Sequence, residues 1–212
     1  MTNEGIMCAD CPQLGDRDYR GERNYENFIL EGDFKTEILQ GDAFRVRIEG
    51  PDNMKELVKT LRTGDKITFT TEGKTTNGSV KVIIETPTFT SLHADDTGEV
   101  SIRGFNEGNA SISAKGNSRI KAYLDASSNL DLTLSGKCLL EITGKGGELN
   151  ANLTDGAQLE ASNWRAENAE ISASDASKAR VYVKNDALIL SDEDSKVRVE
   201  GGAVIKKSRE EN

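Results

Sequence analysis

The chain from about residue 99 onwards alternates apolar and polar positions in triplets that return at a nearly constant spacing. The first members of successive triplets lie 20, 20, 19, 20 and 18 residues apart. Alternation with a period of two is typical of a β-strand with one buried face. A spacing held over six copies indicates a structural repeat. The triplets are Val100–Ile102, Ile120–Ala122, Leu140–Ile142, Leu159–Ala161, Ala179–Val181 and Val197–Val199.

A second alternating series lies between the triplets, so each repeat contains two strands. Its copies are spaced 20, 19 and 20 residues apart. The turns between the two series contain Gly116, Gly136, Asp155 and Asp175, and Gly, Asn and Asp tolerate a positive φ. The register of a last, compressed copy at Leu188–Leu190 is left open. The regular copies are Ala110–Ala114, Leu130–Leu134, Leu149–Leu153 and Ala169–Ala173.

The constant phase of both series predicts strands that stack in parallel. A hairpin meander would reverse its direction at every turn, and no helical pattern lies between the copies, which excludes a βαβ arrangement. Each strand would then pair with its own copy about 4.8 Å away. The sequence therefore predicts an all-β protein, a right-handed parallel β-helix (a solenoid) with coils of about 20 residues.

The stacked coils also predict what lies inside and outside the helix. Large and small apolar residues would alternate up the interior, as close packing requires. The triplet centres would form an outer ladder in which Lys121 faces Glu141 and Glu160 faces Arg180. Like charges would also meet at Glu141/Glu160 and at Arg180/Arg198. The full ladder is Ser101, Lys121, Glu141, Glu160, Arg180 and Arg198.

The N-terminal third is less regular and is expected to cover the open end of the solenoid. Met54–Leu61 has the spacing of a short helix capped by Asp or Asn. We predict a flexible N-terminal tail (1–25), one β-helix domain (26–205) and a charged C-terminal tail (206–212). The domain divides into a less regular part (26–90) and regular coils (91–205), and the C-terminal tail either shields the other end or is disordered. Strands are expected at Thr36–Ile38, Phe44–Ile48, Ile67–Phe69 and Val80–Ile84.

Composition and charge restrict the partners. Only 5% of the residues are aromatic and 35% are hydrophobic, which suits a thin solenoid better than a compact enzyme. A net charge of −9 argues against nucleic acid and anionic lipid. No run of 18 apolar residues is present, so we expect no direct membrane insertion. The first 25 residues lack the apolar core of a signal peptide, so a cytoplasmic chain and a processed one are both open.

The three cysteines cannot all pair with one another. Cys8 and Cys11 have the spacing of half a zinc site or of a local disulfide, but no second pair completes the ligand set. We expect both to be thiols of a tail, and Cys138 to be a side chain at the start of a strand. No metal site and no cofactor is predicted.

One row of polar residues is the candidate binding site. Ser113, Thr133, Asn152 and Ser172 occupy the same outward phase in four consecutive repeats. Such a row could bind a glycan or a surface protein through repeated weak contacts, or it could simply be solvated. Neighbouring outward positions hold Ser111, Asp131, Asn150 and Glu170.

An enzyme is the main alternative, because a glycosidase needs two carboxylates within about 5–9.5 Å. Asp95–Asp96 and Asp192–Asp194 are the acidic clusters, but both fall at corners, where acidic residues are common; calcium binding there lacks the nonapeptide pattern. His93 has no nucleophile motif beside it. Trp164 could stack on a sugar, but a buried corner anchor is the favoured interpretation. No catalytic residue is predicted.

Several segments together resemble the auto-transporter adhesin "head GIN" domain family over about residues 20–205. The resemblance implies a right-handed β-helix, mostly exported to the envelope of Bacteroidetes-type bacteria, with an adhesin-like role. Asp33–Lys35 stands where the family has Gly-Ile-Asn, and several Ser-Gly corners are replaced here. The segments, in order, are Asn27–Gly32, Glu37–Asp42, Val46–Pro51 and Ile84–Leu92.

The pattern and the resemblance together favour a non-enzymatic, adhesin-like or scaffold binding module of the bacterial cell envelope, or a secreted one. Its expected partner is a glycan or a surface protein. A polysaccharide-active β-helix enzyme and a self-assembling scaffold of identical chains are the alternatives. A cytoplasmic location is the alternative to the envelope.

Overall fold

The computed structural model describes residues 19–20, 25–72, 80–106 and 108–208, without the side chains of 126 and 127. These residues form one 16-stranded sheet wound into a solenoid of about six turns. The predicted right-handed parallel β-helix is therefore confirmed. Cys8, Cys11 and most of the predicted N-terminal tail lie outside the described residues.

The elements follow the alternation of apolar and polar residues along the chain. Strands β11 to β14 are 14 to 16 residues long, and each bends from one side of the solenoid to the next. The elements are β1 (Tyr19–Arg20), β2 (Asn27–Glu31), β3 (Lys35–Gln40), β4 (Arg45–Glu49), α1 (Asp52–Lys55), β5 (Val58–Thr63), β6 (Lys66–Thr71), β7 (Lys81–Thr86), β8 (Ser91–Asp95), β9 (Glu99–Phe105), β10 (Ala110–Lys115), β11 (Arg119–Leu134), β12 (Leu139–Leu153), β13 (Gln158–Ala173), β14 (Lys178–Ser191), β15 (Lys196–Glu200) and β16 (Val204–Ser208).

Two sides of the solenoid correspond to the two predicted series. We call the side formed by β9, the first parts of β11–β14 and β15 the charged face, because its outward ladder is mostly ionic. The polar face is formed by β8, β10, the last parts of β11–β14 and β16. The segments between them, near residues 123–128, 143–147, 162–167 and 182–185, form the connecting side. All three sides stack in parallel.

The predicted register is confirmed on both faces. Ile120 pairs with Val100 on one side and with Leu140 on the other. The last copy of the second series, which the sequence left open, is settled because Ile189 pairs with Ile171 and is buried. Leu188 points outwards and is 37% exposed.

The predicted turns contain the expected backbone conformations. Gly116 and Gly136 have φ values of 65° and 76°, and Asp155 and Asp175 have values of 57° and 56°. Ala176 also has a positive φ, 63°. A residue with a Cβ is strained in this conformation, so Ala176 is an exception to the turn chemistry of the other coils.

Small side chains line the inner corner after these turns. Thr97, Ser118, Cys138 and Ser177 occupy equivalent places there and are buried. The Thr97 and Ser118 hydroxyl oxygens are 3.2 Å apart and hydrogen-bonded. Cys138 is a free thiol whose pKa is raised by burial, and it lies one residue before β12, as predicted for a strand start.

The N-terminal third has an order in space that differs from its order in the chain. The coil of β2 and β3 lies between the coil of β6 and β7 and the coil of β8 and β9. Strands β4 and β5 then run antiparallel along the outer edges of β7 and β6. Phe44, Val46 and Val58 are buried beneath this cover. This part of the chain therefore forms a cap over one end of the core.

The predicted helix over Met54–Leu61 is wrong in its extent. Helix α1 is a single turn, Asp52–Lys55, and its N-cap is Pro51 without a side-chain cap. Val58 and the residues after it form β5 instead. Pairing with β6 provides hydrogen bonds to this segment that a second helical turn would have to replace.

The opposite end of the solenoid has a different character. Within the described residues, β15 and β16 pair only with β14, so their outer edges carry no further strand. Ile205 is 44% exposed although its partner Ala187 is buried. Lys207 stands over Ile189, in the column of inward residues. Residues 206–208, which the sequence assigned to a charged tail, belong to β16.

Candidate binding surface

The four candidate residues lie side by side on the polar face. Ser113 pairs with Thr133, Thr133 with Asn152, and Asn152 with Ser172, each on the next strand of the stack. Thr133 and Asn152 are exposed, whereas Ser113 and Ser172 are half-buried. Because adjacent strands lie about 4.8 Å apart, hydroxyl and amide groups recur at that interval along the solenoid.

Three of these residues share a shallow depression. Thr133, Asn152 and Ser172 line a hollow of about 510 Å³, while Ser113 lies one coil outside it. The neighbouring outward column lines the same hollow, and in it the Asn150 side-chain amide donates to Asp131 Oδ1 at 3.0 Å. The hollow therefore offers hydroxyl, amide and carboxylate groups on rigid strands, and its lining also includes Glu148 and Glu170.

His93 extends the row by one coil towards the cap. It pairs with Ser113 in the register of β8 and β10, and its Nδ1 lies 3.3 Å from Ser113 Oγ. Ile29 and Leu190 occupy the same column beyond the two ends of the row. The polar row is therefore bounded at both ends by apolar side chains.

The acidic clusters that the sequence offered as an alternative site hold backbone turns together. Asp96 Oδ1 accepts the backbone N–H of Asn117 at 3.0 Å. Asp192 accepts the N–H groups of Asp175 at 2.7 Å and of Ser195 at 2.8 Å. Hydrogen bonding, chiefly with Ser195, lowers the pKa of Asp192. These carboxylates act as corner caps between consecutive coils.

Trp164 is a buried anchor, as the sequence favoured, and is not available to a ligand. Its side chain is fully buried, and Nε1–H donates to the carbonyl oxygen of Leu124 at 2.9 Å. Gly144 lies in register between Trp164 and Leu124. A Cβ on Gly144 would come 2.0 Å from the Leu124 carbonyl oxygen, so glycine is required there.

The charged face neutralises itself. The predicted pairs are present: Lys121 Nζ lies 3.5 Å from Glu141 Oε2, and Arg180 Nη1 lies 3.5 Å from Glu160 Oε2. The like pair of Arg180 and Arg198 is bridged by Glu200, at 3.9 Å and 3.4 Å. The ionic groups on this side are therefore mostly matched to one another.

Comparison with known families identifies the domain. The sequence profile of the family described as "Putative auto-transporter adhesin, head GIN domain" matches residues 24–203. The chain belongs to this family. Relatives in the family are described as adhesins rather than as enzymes, and the adhesin description indicates a cell-surface or envelope location.

Solved structures share the head GIN fold along nearly the whole chain. An adhesin named as putative from Bacteroides fragilis is 19% identical, with a TM-score of 0.68, over 93% of this chain and 98% of its own. One from Parabacteroides merdae is 12% identical, with a TM-score of 0.71, over 93% of each chain. A protein from Parabacteroides distasonis named as putatively lipid-binding is 15% identical, with a TM-score of 0.62, over 92% of each chain. No curated protein sequence matches significantly.

The tripeptide that gives the family its name is altered in this head GIN domain. Asp33–Lys35, which stands in its place, forms the bend between β2 and β3. Phe34 is fully buried, and Lys35 Nζ lies 3.8 Å from Glu99 Oε2. Phe34 at this position therefore contributes to the core. Among the described residues, no helix is long and apolar enough to cross a membrane.

The sequence analysis missed a groove on the connecting side. Tyr182, Arg165 and Lys145 stand on three consecutive coils there, beside Gly146 and Gly147. The residues have no common apolar pattern, and the register shifts between Ala161 and Arg165. A search for outward residues of equal phase between the two series would have found the Lys145–Arg165 pair, but not Tyr182.

Proposed function

We propose that this head GIN domain is a non-enzymatic recognition module of the bacterial cell envelope that binds a glycan along its polar face. The observation that carries the proposal is the row of Ser113, Thr133, Asn152 and Ser172 on consecutive strands of a rigid stack. Small hydroxyl and amide groups can both donate to and accept from sugar hydroxyls.

Repetition and rigidity support this function. A single exposed hydrogen bond contributes little, about 0.5–1.5 kcal/mol, but several made by one chain-like ligand add up. Strands that are already fixed by pairing on both sides lose little conformational freedom when the ligand binds. The family description as an adhesin and its envelope location agree with a ligand at the cell surface.

The test is a binding assay on an array of bacterial surface glycans with matched variants. Thr133→Val combined with Asn152→Ala removes the central hydrogen-bonding groups, and we expect affinity to fall at least about tenfold, equal to about 1.4 kcal/mol. Ser101→Ala is the control, because Ser101 is outward on the charged face. Equal binding by all three proteins, or no binding to any glycan, would contradict the proposal.

A polysaccharide-cleaving activity is tested separately. The acidic clusters are engaged in corner turns, so we expect no release of reducing ends from a panel of acidic polysaccharides. Sustained turnover that Asp96→Asn or Asp192→Asn abolishes, without loss of the folded state, would replace the binding proposal with an enzymatic one.

A further inference from the structure

The groove on the connecting side combines positive charge with an aromatic ring. It has a volume of about 520 Å³ and is lined by Lys145, Gly146, Gly147, Arg165, Tyr182 and Lys184, among others. The two glycines leave its floor without side chains. Tyr182, half-buried at the far end, provides a flat ring beside this floor.

The charges of the groove are not balanced as they are elsewhere on the solenoid. Lys145 and Arg165 are exposed neighbours in the register of β12 and β13. Like charges directly opposite each other on adjacent strands are unfavourable. Within the described part of the chain, neither makes an ion pair, whereas the like pair on the charged face is bridged by Glu200.

The nearby carboxylates do not provide the missing counter-charge. Glu167 is paired with Lys184, with both oxygens 3.0 Å from Nζ, and this hydrogen bond lowers the pKa of Glu167. Asp125 uses Oδ1 to accept the backbone N–H of Lys145 at 3.1 Å. Lys184 is therefore matched, while Lys145 and Arg165 remain as two cations in a protein of net charge −9.

We propose that this groove binds an acidic sugar residue of a surface glycan. A carboxylate or sulfate would lie between Lys145 and Arg165, where the guanidinium can bind an oxyanion with two parallel hydrogen bonds. The sugar ring would pack over Gly146 and Gly147 against Tyr182, since ligand sites combine apolar contact with a few placed polar groups.

The groove and the polar face are connected along the same coils. Gly147 in the groove is followed directly by Glu148, which lines the hollow on the polar face. A glycan could therefore place neutral residues on the polar face and an acidic residue in the groove. The inference rests on the proposed function to this extent, although acidic-sugar binding in the groove can be measured on its own.

Titration calorimetry of the full chain with trigalacturonic acid and with its methyl ester tests the charge requirement. The two probes share their rings and differ in charge, and we expect the ester to bind at least about tenfold more weakly. A heparin tetrasaccharide distinguishes sulfate from carboxylate as the anion. Binding of either anionic probe supports the proposal, whereas no binding of both, or equal binding of the ester, overturns it.

Variants locate the site. Arg165→Gln should weaken binding of the anionic probe about tenfold, and Tyr182→Ala should weaken it about fivefold. Arg180→Gln is the control, because Arg180 is exposed on the charged face and paired with Glu160. Thermal melts confirm that each variant is folded. Unchanged binding by Tyr182→Ala, together with equally tight binding of a glutamate hexapeptide, would reduce the groove to a nonspecific cationic patch and overturn the proposal.

The outcome separates this inference from the proposed function. If Thr133→Val with Asn152→Ala abolishes glycan-array binding but trigalacturonic acid and the heparin tetrasaccharide never bind, the groove proposal fails alone. If an anionic probe binds and depends on Arg165 while no array glycan responds to the polar-face variant, the polar-face proposal fails alone.

Discussion

At the scale of single residues, the solenoid depends on a few positions where the backbone leaves its usual conformation. The turn at Thr154–Gly156 has Asp and Gly at positive φ, and the equivalent turn one coil later has Asp175 and Ala176. Both turns make the same connection between coils. The alanine therefore carries a conformational strain that the glycine does not.

This difference predicts opposite effects for two exchanged residues. Ala176→Gly should raise the free energy of unfolding by about 0.5–1 kcal/mol, because the loss of strain exceeds the added freedom of the unfolded chain. Gly156→Ala, at φ 82° and with open space around the new Cβ, should lower it by about 1 kcal/mol. Urea denaturation of both variants measures the two values. Shifts of the same sign would contradict this account of the turns.

At the scale of the elements, the strands are held by side chains that reach a shared interior from both faces. Leu132 is 2% exposed and pairs with Ile112 and Ala151 on the adjacent strands. Thr133, the next residue, is exposed. The same strand therefore offers a buried and an exposed position one residue apart.

Introduction of a charge at these two positions tests the assignment. Leu132→Asp should abolish cooperative folding, because an unpaired buried carboxylate costs more than about 4 kcal/mol. Thr133→Asp should leave the unfolding free energy within about 0.5 kcal/mol of the wild-type value. Circular dichroism melts of both proteins are sufficient. A near-wild-type melt for Leu132→Asp would show that the residue is not inside.

The regular strands could be predicted from the sequence because their register repeats in the chain itself. One triplet such as Ile120–Ala122 is ambiguous, but copies at a constant spacing fix both the face and the partner. The same reasoning found the outward row containing Thr133 and Asn152. It failed at Met54–Leu61, because a helical spacing over eight residues competes with pairing to β6, which only the fold reveals.

The order of the first coils and the groove could not be predicted for a related reason. Phe28 pairs with Leu92, 64 residues later, and no local pattern encodes that partner. The groove depends on the missing side chains of Gly146 and Gly147 and on a register shift in the next coil. Both features arise between segments whose relative position is set by the stack rather than by their own composition.

At the scale of the whole molecule, the two ends of the core are closed in different ways. The cap covers one end with antiparallel strands. At the other end, Lys207 stands in the inward column over Ile189, next to the partly exposed Ile205. An inward-pointing charge on an edge strand opposes pairing with another chain.

Removal of this charge should therefore promote association. Lys207→Ile would continue the apolar column, and we expect a larger fraction of dimer or higher assembly at equal protein concentration. Lys206→Ile is the matched control, because it makes the same substitution at a position that pairs with the outward Leu188. Light scattering coupled to size-exclusion chromatography measures both. Equal association by the two variants would exclude a specific role for Lys207.

The interleaved order of the first coils has a consequence for shortening the protein. The strands nearest the N-terminus, β2 and β3, are internal in the stack and separate the coil of β6 and β7 from β8 and β9. Deletion of residues 1–40 would thus withdraw a middle layer and strand the outer one, much as deletion of residues 1–90 would remove both. Successive truncations from this terminus should cause one abrupt loss instead of a stepwise decline.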